Sequence, residues 1–538
     1  MSNYLNSDVC VSNFSKILKE PNFIDKSLLI EDLVPSIDIE NRFICITRPR
    51  RFGKTVAANM IASFFGKDDS SSLFGGLKIS QKGCYTEHLN KHNVIFIDFS
   101  QETKIDDTFE SYISRIEDNL KDDLYSSYPF LDVSENLTLV EMLRKCCSET
   151  KQGFIFVFDE WDAPFRFRFV SDSDKESYID FLHVLLKGQF YVELAYMTGI
   201  LPIKKYSSSS DLNMFTDYSL LTQAKYSLHF GFTEEEVDEL YEKNKNREDY
   251  VVGFSREDLR YWYDGYETTE RKHLYNPRSV VLAFSNNRLA NYWTSSGPSD
   301  EIFNLLKLNI NDIQKPVAQM MSGERIVCSI DENVINSSNT TSKLYIFSAM
   351  VVYGLLTTED SNKIKIPNYE IMQKFDSVLK ENNDLGYINQ LAMKSSEILD
   401  ATLNQDEEAV AQMLEFVHDT ETPLFSYNRE NELTAVVNLV YLAARDLYFV
   451  SREDKAGKGF TDIIFTPKNP ADEAIILELK VDSTPEEAIS QIRQKNYAQR
   501  FMERVGEKSY YTGNILLVGI SYDKKEKKHA CKIEVLER

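Results

Sequence analysis

The stretch NRFICITRPRRFGKTVAANMIASFF constrains this chain more than any other. A short apolar strand runs into a basic turn, and the turn opens directly into an amphipathic helix. Gly53-Lys54-Thr55 is the closing half of the pattern GxxxxGK[ST], in which each residue has a task. Gly53 lets the backbone approach phosphates, and Lys54 neutralises the β and γ oxygens of ATP. Thr55 offers a hydroxyl to Mg²⁺ at a helix N-terminus, where the dipole favours anions. The first position of the pattern is Arg48 rather than Gly, and Pro49 holds Arg48 extended. A loop of different shape is expected, with Arg50 or Arg51 supplying charge that a plain loop lacks.

Three more apolar runs follow: NVIFIDFS (93–100), GFIFVFDEWDAP (153–164) and VELAYMTGIL (192–201). Continuous apolar runs separated by helical segments indicate a parallel sheet buried on both faces. The reading is an α/β layered domain over about 40–230, preceded by a helical lead-in. Asp159-Glu160 ends the third run. A parallel strand delivers such residues to the ligand edge of the sheet, where Asp159 would hold Mg²⁺ through water and Glu160 would polarise the attacking water. The competing reading is an ordinary strand end, with Asp162 capping the helix that begins at Ala163–Pro164. Thr198, at the end of the fourth run, sits where a γ-phosphate sensor would be, or simply makes a turn.

Residues 231–415 read as a helical lid or connector, opening with a helix capped by Thr233 and Glu236. Residues 416–538 change character: helix, β-hairpin, helix, then the apolar strand NILLVGISY. The expected division is therefore 1–230, 231–415 and 416–538. In the hairpin TDIIFTPKNPADEAIILELKV, a turn centred between Thr466 and Ile475 puts Asp462 opposite position 479. That is within one residue of Glu478 and Lys480, which share a strand face. Asp462, Glu478 and the carbonyl of Leu479 would ligate Mg²⁺ or Mn²⁺, while Lys480 orients or deprotonates water. The next helix starts at Thr484 with Pro485 and Glu487 as a capping box, and presents Gln491 and Lys495 on one face. Glu432, with Glu430 its rival, is a candidate third carboxylate. A hairpin with solvated charges is the competing reading.

Charge placement narrows the partners. The net charge is −23, yet residues 421–538 carry 18 Lys+Arg against 19 Asp+Glu, so the acidity lies in the first 420 residues. Such a body repels a polyanion, and nucleic-acid contact is expected on the C-terminal part. No run of about 18 apolar residues suggests a membrane span, and the first residues lack the pattern of a secretion signal. Seven scattered cysteines without a CxxC pair argue for reduced thiols in a cytoplasm.

Taken in order, NFIDKSLLI (22–30), RPRRFGKT (48–55), VFDEWDAP (157–164), MTGIL (197–201), HFGFTEEEV (229–237), WYDGYE (262–267), LYNPRSV (274–280), KGFTDIIF (458–465), ILELK (476–480) and EEAISQIRQKNYA (486–498) form a specific set. In these motifs the chain resembles the bacterial AAA-ATPase-like family, whose members fuse a divergent ATPase to a C-terminal PD-(D/E)xK nuclease domain. Arg48-Pro49-Arg50-Arg51 is normal in that family. Phe460-Thr461 stand where it usually has Arg-Tyr, and Trp161 where it usually has Tyr. The resemblance implies an ATP-regulated, Mg²⁺- or Mn²⁺-dependent nuclease acting on nucleic acid, DNA before RNA; defence against foreign DNA is a common guess for the family's role. The alternative is a nucleotide-sensing regulatory or scaffold protein whose nuclease-like domain does not cleave. Homo-oligomerisation is compatible with either.

Overall fold

The computed structural model describes residues 2–101, 103–203, 212–222, 224–293, 313–321, 323–332, 341–359, 362–381, 386–419, 433–434, 437–438, 440–456, 459–495, 497–498, 501 and 513–537, those at 314–315, 379–381, 386–393, 418–419, 451–456 and 459–462 by backbone alone. The chain is α/β and divides into two compact units. One comprises Met1–Ser296 with Cys328–Lys363, the other Gly297–Val327 with Ile364–Arg538. This division is not the one expected at 230/231 and 415/416: residues 231–296 fall in the same unit as the P-loop.

The first unit is built on a sheet of order β2-β3-β4-β1-β5, with β1 Phe43–Thr47, β2 Asn93–Asp98, β3 Phe154–Asp159, β4 Val192–Gly199 and β5 Thr216–Tyr218. Every pairing is parallel. The short strand β5 was not expected from sequence. Successive residues of β3 serve opposite layers, which is why the run is apolar throughout. Phe154, Phe156 and Phe158 pack with helices α3 (Phe109–Ser127), α4 (Leu139–Thr150) and α5 (Asp172–Leu186). Ile155 and Val157 pack with α1 (Asp8–Leu18) and α2 (Lys54–Phe65). Both faces are thus dry, as a parallel sheet requires. Helix α6 (Glu234–Lys245) has the expected capping box, with Thr233 Oγ1 accepting from Glu236 N and Glu236 Oε2 accepting from Thr233 N. Helix α7 (Pro277–Asn286) begins at Asn276, whose Oδ1 accepts from Arg278 N and Ser279 N.

The second unit carries a mixed sheet in sequence order, β6 Tyr448–Ala456, β7 Gly459–Pro467, β8 Ala474–Val481, β9 Ile515–Asp523 and β10 Lys528–Leu536. Only β8 and β9 pair in parallel, joined through α9 (Pro485–Gln494). Strands β6 and β10 flank the expected core and were missed. Helix α9 lies so close to β9 that a Cβ on Gly519 would sit 2.3 Å from Pro485 O, so only glycine fits there. Helix α8 (Glu407–Asp419) is tied to β10: Glu407 Oε1 accepts from Ile533 N at 2.9 Å and pairs with Lys532 at 3.1 Å. The seven cysteines are free thiols. Among the described residues no helix is long and apolar enough to cross a membrane.

Candidate functional site

The loop after β1 takes its shape from two left-handed residues, Arg51 (φ 68°) and Gly53 (φ 88°), the second of which caps α2. Arg48 does not reach toward a ligand. It is buried at 1% exposure, with Nη1 donating to Thr47 O (2.7 Å) and Tyr218 O (2.6 Å) and the guanidinium over the Phe230 ring. It fastens the start of the loop to the end of β5, and burial lowers its pKa to about 10. Arg51 donates Nη1 to Tyr292 O, whereas Arg50 is half-buried and faces the cavity described below. Lys54 is also buried, its ammonium donating to the carbonyls of Arg48 and Pro49, both at 3.1 Å. Burial lowers its pKa, and Glu160, Asp159 and Asp162 resist that shift. A loop that already surrounds an ammonium with carbonyls holds it where phosphate oxygens can replace them.

Asp159 closes β3 at full burial. Its Oδ1 accepts from the Thr198 hydroxyl and from Glu160 N (3.1 Å), and its Oδ2 is buried outside any ordinary hydrogen bond. Burial first, and the Asp98 charge second, raise its pKa to about 6, while the Thr198 and Thr55 hydroxyls pull the other way. Asp98 ends β2 in register with Asp159, so two strand ends offer carboxylates side by side. The Thr55 hydroxyl and the orphaned Oδ2 of Asp159 suit a hard divalent cation, which would neutralise this crowding. Thr198 is bonded to Asp159 and lies fully buried; its hydroxyl orients the aspartate rather than facing the cavity.

Glu160 is left-handed at φ 49°, and it lines the same cavity as Arg50 and Lys54. Burial opposes its charge, but Lys54 and Arg166 outweigh that and hold the carboxyl below the ordinary Glu range. Arg166 Nη2 donates to Glu160 Oε2, and its Nη1 to Asp162 Oδ2, both at 2.8 Å. Asp162 is no helix cap: the same Oδ2 also accepts from Ile200 N (3.3 Å) and Leu201 N (3.2 Å). Arg50, Arg51, Gly53, Lys54, Thr55, Asp98, Glu160 and Arg166 line one cavity of about 870 Å³, which Arg278 joins from α7. That space accommodates a nucleotide. Asp98, Arg166 and Arg278 are the residues that sequence reasoning missed. The signal for Asp98 was its place at the end of an apolar run; for Arg166 it was a basic residue four after Asp162.

In the second unit the β7–β8 register is Ile463↔Leu477, Ile464↔Ile476 and Phe465↔Ile475. Its continuation sets position 462 across from Glu478, one residue short of the expected 479. Glu478 is 2% exposed on β8. Its Oε1 accepts from Lys480 Nζ at 3.4 Å and from Gln491 Nε2, which α9 brings over the strand. Glu478, Lys480 and Gln491 therefore meet as expected, with Leu479 buried between the first two. The Asp462 side chain, Glu430 and Glu432 lie outside the described residues. Helix α9 has half of its expected capping box. Thr484 Oγ1 accepts from Glu487 N, but the Glu487 carboxylate accepts from Ser483 Oγ instead of reaching back to Thr484 N. Among the described residues no three His, Cys, Asp or Glu side chains form a metal cluster.

Comparison with known proteins finds a family match over each of the two regions. Residues 8–208 match the model of the predicted AAA-ATPase family, and residues 429–531 that of the PD-(D/E)XK nuclease superfamily. A protein of Azotobacter chroococcum mcd 1, named only as an uncharacterized protein in the vnfD 5′ region, is 23% identical over 307 residues, 55% of each chain. The chain thus spans about half the length of that relative. Among solved structures, the Walker-type ATPase PABY2304 of Pyrococcus abyssi is similar at TM-score 0.35 and 12% identity, over 65% of this chain and 93% of its own. The ORC2 protein of Aeropyrum pernix, solved in ADPNP–ADP complexes, is similar at TM-score 0.34 and 10% identity, over 68% and 98%. The chain thus carries one stretch similar to the predicted AAA-ATPase family and, further on, one similar to the PD-(D/E)XK nuclease superfamily.

Proposed function

We propose that the chain is an ATP-regulated, metal-dependent nuclease that acts on DNA. In the first unit Lys54 and Arg50 receive the phosphates of ATP. Thr55 and Asp159 would hold Mg²⁺, which would supply charge neutralisation to the phosphates. Glu160 accepts a proton from the attacking water. In the second unit Asp462, Glu478 and the Leu479 carbonyl hold Mg²⁺ or Mn²⁺, and Lys480 orients the water that attacks the phosphodiester. Gln491 steadies Glu478. The observation that carries the nuclease half is the buried Glu478 carboxylate held by both Lys480 and Gln491.

Titration of Mn²⁺ into purified Glu478→Ala and Lys480→Ala, alongside cleavage of DNA and RNA, tests it. Glu478→Ala loses both metal binding and cleavage, because a ligand is gone. Lys480→Ala keeps the metal, from which a repelling charge has been removed, and still loses cleavage. A wild-type protein that binds no metal and cuts nothing instead favours the nucleotide-sensing scaffold.

A further inference from the structure

The turn between β9 and β10 is the densest run of positive charge near the Glu478 strand. Asp523–Lys528 reads DKKEKK, and all six residues are exposed. The turn is held in shape from both sides. Asp523 Oδ1 accepts from Lys525 N (2.8 Å) and Glu526 N (2.9 Å), and Lys527 adopts φ 54°. Asp482, two residues past Lys480 and itself left-handed at φ 55°, grips the turn from β8. Its Oδ1 accepts from Lys524 N at 3.0 Å, its Oδ2 pairs with Lys524 Nζ at 3.0 Å, and its N donates to Tyr522 O. The Asp482 carboxylate is thereby paired with Lys524, while Asp523 accepts backbone N–H groups and keeps its charge, across the ladder from Lys528. Lys525, Lys527 and Lys528 make no ion pair among the described residues, and Glu526 is the one further acid in the turn.

Position matters as much as charge. Strands β8 and β9 run parallel, with Glu478↔Gly519 and Lys480↔Ser521 in register, so the turn lies at the C-terminal end of β8, the end that carries Lys480. Four strand steps from Gly519 to Asp523 cover about 13 Å. At about 3.4 Å of axis per phosphate along one strand, that is about four phosphates from the Glu478 site.

We propose that Lys525, Lys527 and Lys528 bind the phosphodiester backbone of nucleic acid about four nucleotides from the bond cut at Glu478–Lys480. This rests on the nuclease reading and adds to it the surface that holds the substrate. A chain of net charge −23 needs such a patch, because the rest of it repels the polyanion. Contacts of this kind fix position without reading sequence.

The test is fluorescence anisotropy of full-length protein with a labelled duplex DNA and a duplex RNA of the same sequence, metal-free, across a range of KCl. Each phosphate contact contributes about 0.9 to the slope of log affinity against log salt for duplex DNA. Lys525→Gln, Lys527→Gln and Lys528→Gln should each flatten the slope by about 0.9 and together by about 2 to 3, and the triple Arg variant should restore it. Whichever duplex shows the change is the source of the backbone. Slopes unchanged in a variant whose parent binds and cuts would overturn the proposal and leave the nuclease reading standing. A parent that neither binds nor cuts either duplex overturns both. Loss of binding to anionic vesicles with nucleic-acid binding intact would assign the turn to a lipid surface and also overturn it.

Discussion

The guanidinium of Arg166 donates to the Glu160 carboxylate at 2.8 Å, on the wall of the cavity that Lys54 enters. The same guanidinium is the charge partner of the fully buried Asp162. Truncating one partner of a buried pair leaves the other uncompensated, which costs several kcal/mol when both are enclosed. Arg166 is 22% exposed, so Arg166→Ala should destabilise the first unit by about 2 to 3 kcal/mol, with Arg166→Lys recovering part of it. Urea denaturation followed by fluorescence measures this; a change below about 0.5 kcal/mol, the level of a neutral surface substitution, would contradict the assignment.

Lys54→Ala should weaken ATP binding at least tenfold, about 1.4 kcal/mol. The ammonium it removes is the one held on the Arg48 and Pro49 carbonyls. Glu160→Gln should leave that affinity nearly unchanged and slow hydrolysis, because it removes a proton acceptor and not a phosphate contact. Calorimetry and phosphate release separate the two. Equal affinity for wild type and Lys54→Ala would remove the nucleotide from this loop.

The metal-free protein should lose stability as pH rises through about 6. Asp159 carries a folded pKa raised from 3.8 to about 6, so the folded state binds more protons than the unfolded chain in that window. Its contribution is fully present below pH 3.8 and is lost above about 6, a change on the order of 2 to 3 kcal/mol. Asp159→Asn should abolish this component. Denaturant midpoints from pH 4 to 7 check it, and a wild-type profile matching the Asn variant would refute the buried, crowded carboxylate.

A fragment of residues 416–538 should aggregate, whereas one joining Gly297–Val327 to Ile364–Arg538 should fold. The shorter fragment lacks Glu407, the acceptor for Ile533 N on β10, and the buried Val410 and Leu414 of α8. Size-exclusion chromatography and circular dichroism compare them. Equal, cooperative melting of both would return the boundary to residue 416.

What was legible in the sequence was local. The strand–loop–helix at 43–65 and the strand-borne Asp159-Glu160 declare themselves within a few residues, because continuous apolar runs and Gly-Lys-Thr spacing need no partner. Arg166 was not legible as part of the site, since its role depends on Asp162 and on Ile200–Leu201, about forty positions on. Arg48 looked like a departure from a pattern; only its bonds to Tyr218 O and Thr47 O show it to be an anchor. The one-residue slip at Asp462 has a similar origin: the register is set by the cross-strand pairs Ile463↔Leu477, Ile464↔Ile476 and Phe465↔Ile475, which the midpoint of two apolar runs does not fix to the residue. Strand β10, KHACKIEVL, was missed because charges alternate with its apolar residues.

The central claim is that ATP at the Lys54 loop governs metal-dependent cleavage at Glu478. Cleavage of labelled duplex DNA in Mg²⁺ or Mn²⁺, with and without ATP, in wild type and Lys54→Ala, tests it most directly. The account predicts cutting that needs the metal, a rate that changes with ATP in wild type, and no ATP effect in Lys54→Ala. Metal-dependent cutting indifferent to ATP, or no cutting under any of these conditions, would contradict it.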